Sequence, residues 1–267
     1  MTGRPITIED LTVDGVPCKM ARPLGPAGTG VVVLHQAPGY SPQIADWLER
    51  LAADGHLVIA PLLLHHRGEQ AVDPFERFGG DLAAFAAFLP GDEEVRGDVT
   101  AVLGFLRGSG VEPGRTGILG FSYGGRAAFL TATEHRLGAA VTFYGNGIQN
   151  DGYPGNDGAP ALADRVPRLR TPWLGLYGDR DVLLAEGELD EFEVSLREAP
   201  GFTELVRYPT AGHAFDVDTT FGPGAPSTLD PDAATDATER TRAFLRTHLS
   251  GDPNGATQGP RPLEGQT

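Results

Sequence analysis

Apolar residues in this chain fall into two patterns: short continuous runs, and longer stretches in which they recur at every third or fourth position. Continuous runs mark strands buried on both faces, and the wider spacing marks helices lying on a sheet. Val31-Val32-Val33-Leu34 closes a run that begins at Gly28, and Leu57 to Ala60 forms a second that Pro61 stops. Thr116 to Phe121, Leu137 to Tyr144, Trp173 to Tyr177 and Glu204 to Tyr208 supply the others. Between them the pattern predicts helices over 44–53, 92–107 and 186–198, with Val95, Val99, Val102, Leu103 and Leu106 on one face of the second. Ile6 to Val13 and Val16 to Ala21 flank Asp14-Gly15, a hairpin signal in which glycine supplies the positive φ of a tight turn. Asp236-Ala237-Thr238-Glu239 reads as a capping box opening a last helix that ends at Leu249. Residues 250–267, rich in Gly, Pro and polar side chains, are expected to be disordered, which leaves 1–249 as one domain.

Strands alternating with helices predict an α/β protein: a mostly parallel sheet covered by helices on both faces. Sheets of this kind bind ligands at the carboxyl ends of their strands. The 267 residues suffice for one large domain of this class. A formal charge of -15 argues against nucleic acid, whose phosphates need clustered Lys and Arg. Cys18 is the single cysteine, so no intramolecular disulfide can form, which suits a reducing compartment. No segment approaches the ~20 apolar residues of a membrane helix, and residues 1–10 lack a secretory pattern. The expectation is a cytoplasmic protein acting on a small molecule, with no nucleic acid and no membrane as partner.

The candidate chemistry centres on Gly120-Phe121-Ser122-Tyr123-Gly124, set between a predicted strand and a helix-like stretch from Gly125 to Ala132. A serine on that sharp turn presents its hydroxyl above the sheet edge, and the strained backbone demands small neighbours two residues away. Ser122 is therefore the candidate nucleophile. A serine hydroxyl needs a base. His213, in Ala211-Gly212-His213-Ala214-Phe215, follows the last predicted strand and is the candidate. Gly178-Asp179-Arg180-Asp181 follows the strand before it and offers two acids. Asp181 is preferred because it stands where the chain has turned over the strand end, whereas Asp179 is expected to order the turn through its own backbone amides. The order serine, acid, histidine along the chain is that of the fold that uses this elbow. Backbone N–H groups of Tyr123 and of Ala37, in the loop after the first buried strand, are the candidate oxyanion hole; Pro38 has no N–H to offer. Gln36, Tyr144 and Phe215 are candidate substrate contacts, Tyr144 being equally readable as packing and Phe215 reading more readily as pocket wall or core.

Other motifs are quieter. His65-His66-Arg67 is set aside as a metal site, because adjacent histidines do not share a helix face and no Cys or acidic ligand has the expected spacing. Arg67 and Arg77 read as solvated loop charges. Asn146 to Gly158 lacks the register of a calcium loop and reads as the start of a small cap; residues 145–171 are too few for a large lid. No phosphate-binding glycine fingerprint occurs, and no cofactor is expected.

The chain resembles the dienelactone hydrolase family of the α/β-hydrolase fold over roughly residues 30–249. The likeness rests on Leu34-His35-Gln36-Ala37-Pro38-Gly39, on Gly120-Phe121-Ser122-Tyr123-Gly124-Gly125, on Thr142-Phe143-Tyr144-Gly145, on Gly178-Asp179-Arg180-Asp181 and on Ala211-Gly212-His213-Ala214-Phe215. The family's nucleophile, acid and base fall on Ser122, Asp181 and His213. The resemblance implies hydrolysis of a carboxylic ester or lactone through an acyl-enzyme. Two departures stand out: the family's name-giving enzymes carry cysteine as nucleophile and a glutamate where Gln36 stands, and they place an arginine soon after the histidine segment, where this chain has Asp216-Val217-Asp218. A thioesterase or peptidase with the same triad, and a non-catalytic binding protein of this fold, are the alternatives.

Overall fold

The computed structural model describes residues 6–151, 159–220 and 225–250. Eight strands form one sheet: β1 (Ile8–Val13), β2 (Val16–Ala21), β3 (Gly30–Leu34), β4 (Leu57–Pro61), β5 (Thr116–Phe121), β6 (Ala139–Phe143), β7 (Trp173–Gly178) and β8 (Thr203–Tyr208), in the spatial order β1-β2-β4-β3-β5-β6-β7-β8. β1, β2 and β4 pair antiparallel; every pairing from β4 through β8 is parallel. The hairpin joins Val13 to Val16 through Asp14 (φ 48°) and Gly15 (φ 90°), both left-handed as such a tight turn requires.

Helices cover both faces: α1 (Pro42–Ala53), α2 (Pro74–Phe78), α3 (Leu82–Phe88), α4 (Asp92–Gly108), α5 (Tyr123–Glu134), α6 (Glu188–Leu196) and α7 (Pro231–Leu249). The continuous apolar run of β3 serves two cores at once. Val32 and Leu34 pack with Val99, Val102 and Leu106 of α4 and Phe129 of α5, while Val31 and Val33 pack with Trp47 and Leu48 of α1 and Leu245 of α7. Successive side chains of a strand point to opposite faces, so a helix on each side demands an unbroken run. β8, at the sheet edge, is only partly buried and correspondingly mixed in sequence.

The last helix begins earlier than its sequence suggests. Asp230 is the cap, accepting from the Ala233 N–H at 3.1 Å, with Pro231 opening the helix. Asp236 instead accepts from Arg240 Nε at 2.6 Å and Tyr208 Oη at 2.9 Å, so the apparent capping box serves side-chain pairing one turn inside. The expected tail lies, beyond Ser250, outside the described residues, as do residues 152–158 of the expected cap. In the rest of 145–171 the regular structure is one 3-10 helix, Ala163–Arg168, consistent with a minimal cap.

Candidate active site

Ser122 links β5 to α5 with φ 51° and ψ -114°, a conformation that costs a non-glycine residue on the order of 1–3 kcal/mol. Its surroundings leave no room for anything but glycine on either side. A Cβ on Gly120 would lie 2.0 Å from the Gly124 carbonyl oxygen, and one on Gly124 would lie 2.4 Å from the Leu34 carbonyl oxygen. The second contact also explains how the elbow finds its neighbour. β3 and β5 are paired through Leu34 and Gly120, and the bare start of α5 lies against the backbone of Leu34 and His35. The loop carrying Gln36 and Ala37 is thereby held beside the first turn of α5, which carries Tyr123.

His213 and Asp181 arrive from the neighbouring strand ends. A Cβ on Gly178 would sit 2.3 Å from the Ala211 carbonyl oxygen, and Arg180 N–H donates to that same oxygen at 2.9 Å. These contacts fasten the turn after β7 to the loop after β8. His213 Nδ1 then lies 2.7 Å from Asp181 Oδ2 and His213 Nε2 lies 2.8 Å from Ser122 Oγ. A carboxylate can only accept, so Nδ1 carries the proton and Nε2 receives the serine O–H. The other Asp181 oxygen accepts from Leu183 N–H at 2.9 Å, which fixes the carboxylate plane. All three residues are buried, with 5–7% of their surface exposed. The three residues predicted to converge are thus in one hydrogen-bonded line. Asp179 departs from expectation: it pairs with Arg207 Nε at 2.6 Å.

The candidate contacts sort differently. Phe215 is fully buried, packed on Phe143, Tyr144 and Tyr208, and is a core residue. Tyr144 is also fully buried; its ring lies 4.8 Å from the His213 ring and its hydroxyl donates to Asp216 Oδ1 at 2.6 Å. Gln43 Nε2 donates to Asp216 Oδ2 at 2.7 Å. Burial raises the Asp216 carboxyl, the hydrogen bonds from Tyr144 and Gln43 opposing it, and burial next to Asp216 raises the Tyr144 phenol well above its usual value. Tyr144 therefore backs the histidine from behind and offers no surface to a ligand. Gln36 is partly exposed in the loop after β3. His213 also lines an open cleft of about 660 Å³ together with Arg180, Val182, Thr210, Gly212 and Leu229.

Two residues that the sequence did not single out for this purpose hold the surrounding loops. His35 is fully buried; its Nδ1 lies 2.7 Å from the Gln36 carbonyl oxygen and its Nε2 accepts from Leu63 N–H at 3.0 Å. It ties the loop after β3 to the loop after β4, and burial lowers its imidazole to about 4. Arg126, buried in α5, donates to Asp92 Oδ2 at 2.7 Å, to the Pro160 carbonyl at 2.9 Å and to the Gly147 carbonyl, pinning the segment after β6 to the start of α4. Its signal was a lone cation in the otherwise small and apolar stretch Gly124-Gly125-Arg126-Ala127-Ala128.

The histidine pair sits in a setting different from the one its local spacing suggests. Residues Leu63–Arg67 form a 3-10 helix, not an α-helix, and both rings turn to Asp98 of α4, His65 Nε2 at 3.1 Å and His66 Nε2 at 3.0 Å. The acidic partner that local spacing failed to find comes from a separate helix. Arg67 is likewise no solvated charge: its guanidinium donates to both Glu94 oxygens at 2.9 Å and to the Phe88 carbonyl at 2.8 Å. Arg77 pairs with Glu69 at 2.5 Å and lies over the Phe88 ring.

Comparison with known proteins gives the chain its family. The profile of the dienelactone hydrolase family matches residues 16–249. A carboxymethylenebutenolidase of Rhodococcus opacus is 32% identical over 232 residues, 84% of this chain and 83% of that protein. A Salmonella typhimurium protein provisionally named a carboxymethylenebutenolidase is 33% identical over 208 residues, 77% of this chain and 75% of its own. Among solved structures, a provisionally named dienelactone hydrolase of Klebsiella pneumoniae superposes with a TM-score of 0.76 at 28% identity, covering 91% of this chain and 99% of that one.

Proposed function

The chain belongs to the dienelactone hydrolase family, and from that premise we propose that it is a serine hydrolase cleaving carboxylic esters or lactones through an acyl-enzyme. The observation that carries the proposal is the unbroken line Asp181–His213–Ser122, with its 2.7 Å and 2.8 Å contacts. In this reading Ser122 Oγ attacks the carbonyl carbon as its proton passes to His213 Nε2. His213 then gives that proton to the leaving alkoxide, and in the second half it activates the water that releases the acid. Asp181 holds the ring in the Nδ1–H tautomer and stabilises the imidazolium. The N–H groups of Ala37 and Tyr123 stabilise the tetrahedral oxyanion, each such donor typically contributing ~10²–10³ in rate. In this reading Gln36, next to Ala37 in the same loop and partly exposed, offers a hydrogen bond to the substrate. A part-buried Asp216 shortly after His213 weighs against a substrate carboxylate on that side.

The partner is a small ester or lactone, and the reaction needs no cofactor. Cys18 is buried, its thiol pushed up to about 12 by burial, and among the described residues no helix is long and apolar enough to cross a membrane; both fit a cytoplasmic enzyme.

A fluorophosphonate probe tests the nucleophile. Wild type is expected to be labelled at Ser122 and Ser122→Ala to stay unlabelled; equal labelling of the two, or labelling at another serine, removes the proposal. Turnover of p-nitrophenyl acetate and an aliphatic lactone, set against an acyl-CoA and a peptide amide, separates ester or lactone hydrolysis from thioesterase and peptidase chemistry.

A further inference from the structure

Three side chains outside the proposed triad converge on one point at the α4 side of the sheet. We propose that His65, His66 and Asp98 form a binding site for one divalent transition ion of the zinc class. Their donor atoms all lie within 4.8 Å of one another. The imidazole Nε2 atoms stand 3.1 Å and 3.0 Å from the same oxygen, Asp98 Oδ2. Two ligands bound to a tetrahedral ion at about 2.0–2.1 Å lie about 3.3 Å apart, so both His–Asp spacings already stand within a few tenths of an ångström of that value, and the two imidazole nitrogens, within 4.8 Å of each other, are the pair that closes on the ion.

The electrostatics point the same way. Asp98 is 3% exposed, and its ion pairs among the described residues are with these two imidazoles and with no Lys or Arg. The two rings lie 4.0 Å apart, centroid to centroid, so both imidazoles border the same small space beside the carboxylate. A dication satisfies both lone pairs and the carboxylate at once. Two imidazoles and one carboxylate also suit zinc and its neighbours better than calcium or magnesium, which take oxygen ligands.

The surroundings supply what a metal-binding imidazole needs. His66 Nδ1 faces Glu94 Oε1 at 3.7 Å, and Glu94 is fixed by both prongs of Arg67. When an ion takes Nε2 in place of its hydrogen bond to Asp98, Glu94 is the acceptor nearest the N–H that the ring then carries on Nδ1. The side chains of His65 and His66 are each 23% exposed, which gives an ion a way in and leaves its remaining position to water.

The experiment titrates Zn²⁺ into the full chain, stripped beforehand with a chelator, by isothermal calorimetry. A parallel Co²⁺ titration is followed in the visible range. Wild type is expected to bind one equivalent in the micromolar range or tighter, with the Co²⁺ absorption of a low-coordinate nitrogen and oxygen site. His66→Gln and His65→Gln, at partly exposed positions, are expected to weaken binding by at least ~10-fold. His213→Ala, which dismantles a separate His–Asp pair, is expected to bind as wild type does. No binding by wild type, equal binding by both Gln variants, or loss confined to His213→Ala would each overturn the assignment. The readout is metal binding alone, so it stands or falls independently of the hydrolase activity.

Discussion

The phenol of Tyr144 donates a 2.6 Å hydrogen bond to Asp216, placing a second, part-buried carboxylate behind His213 that is separate from Asp181. Removing the donor leaves a part-buried charge with Gln43 as its remaining hydrogen-bond donor among these contacts. Tyr144→Phe keeps the ring and is expected to destabilise the fold by about 1–3 kcal/mol. The Asp216 carboxyl is raised in the folded state, so the native protein binds its proton more readily than the unfolded chain, and acidification favours folding through this group. The deficit of Tyr144→Phe relative to wild type is therefore expected to shrink as the pH falls towards the carboxylate range. Urea unfolding of both proteins at neutral pH and near pH ~4 measures it; a deficit that stays constant or grows would argue against a charged Asp216.

Glycine is needed at some positions of this chain and merely present at others. A Cβ on Gly120 would meet the Gly124 carbonyl oxygen at 2.0 Å, a backbone atom that cannot step aside. Gly120→Ala is expected to cost about 3 kcal/mol or more, or to prevent folding. Gly104, inside α4 and exposed, has nothing within 4 Å of its virtual Cβ. Gly104→Ala is expected to stabilise by about 0.5–1 kcal/mol, because alanine lowers the entropy of the unfolded chain and favours the helix. Denaturation midpoints of the two variants should move in opposite directions.

His35 gives stability a pH dependence whose sign can be worked out. Its imidazole is lowered to about 4 in the fold from the 6.5 of a free imidazole, because burial disfavours the cation. Between those values the unfolded chain carries the proton and the native one does not, so stability contributed by this group is complete above pH 6.5 and is lost as the pH falls towards 4. The loss across that window is about 3 kcal/mol. His35→Gln should be less stable at neutral pH, having disturbed the contact to Leu63, yet show a shallower fall on acidification. Denaturation midpoints stepped from pH 7 to pH 4 check this, and parallel curves for the two proteins would contradict it.

Much of this architecture could be read along the chain, because its determinants are local. Buried strands declare themselves as runs such as Val31 to Leu34, and the elbow declares itself because Gly120 and Gly124 are separated by the short span that a sharp turn compresses. What escaped the sequence reading depends on partners far away in the chain. Asp98 is more than thirty residues from His65, and Asp216 meets Tyr144 across seventy-two. Nothing in the local pattern of Leu63–Arg67 distinguishes a 3-10 helix from an α-helix, and that distinction decides where two adjacent rings point. The misread start of α7 has a related cause. Asp236 has the spacing of a cap, but the same spacing serves an i,i+4 pair with Arg240 inside a helix.

The two acids of the turn after β7 give the sharpest separation of a positioning contact from a surface pair. Asp181 has its side chain fully out of solvent and lies 2.7 Å from His213 Nδ1, whereas Asp179 is part-exposed against Arg207. Asp181→Asn keeps the shape but presents an amide where a carboxylate stood. The imidazole then loses the partner that holds its proton on Nδ1 and stabilises its cation. The expected result is a fall in kcat of up to ~10⁴ with KM little changed, since the loss is felt mainly once His213 becomes charged. Asp179→Asn removes a surface ion pair of about 0–1 kcal/mol and should leave kcat within a few-fold of wild type. Steady-state kinetics on a p-nitrophenyl ester compare the two directly. Similar losses from both substitutions would mean that the turn as a whole, and not the carboxylate of Asp181, supports His213.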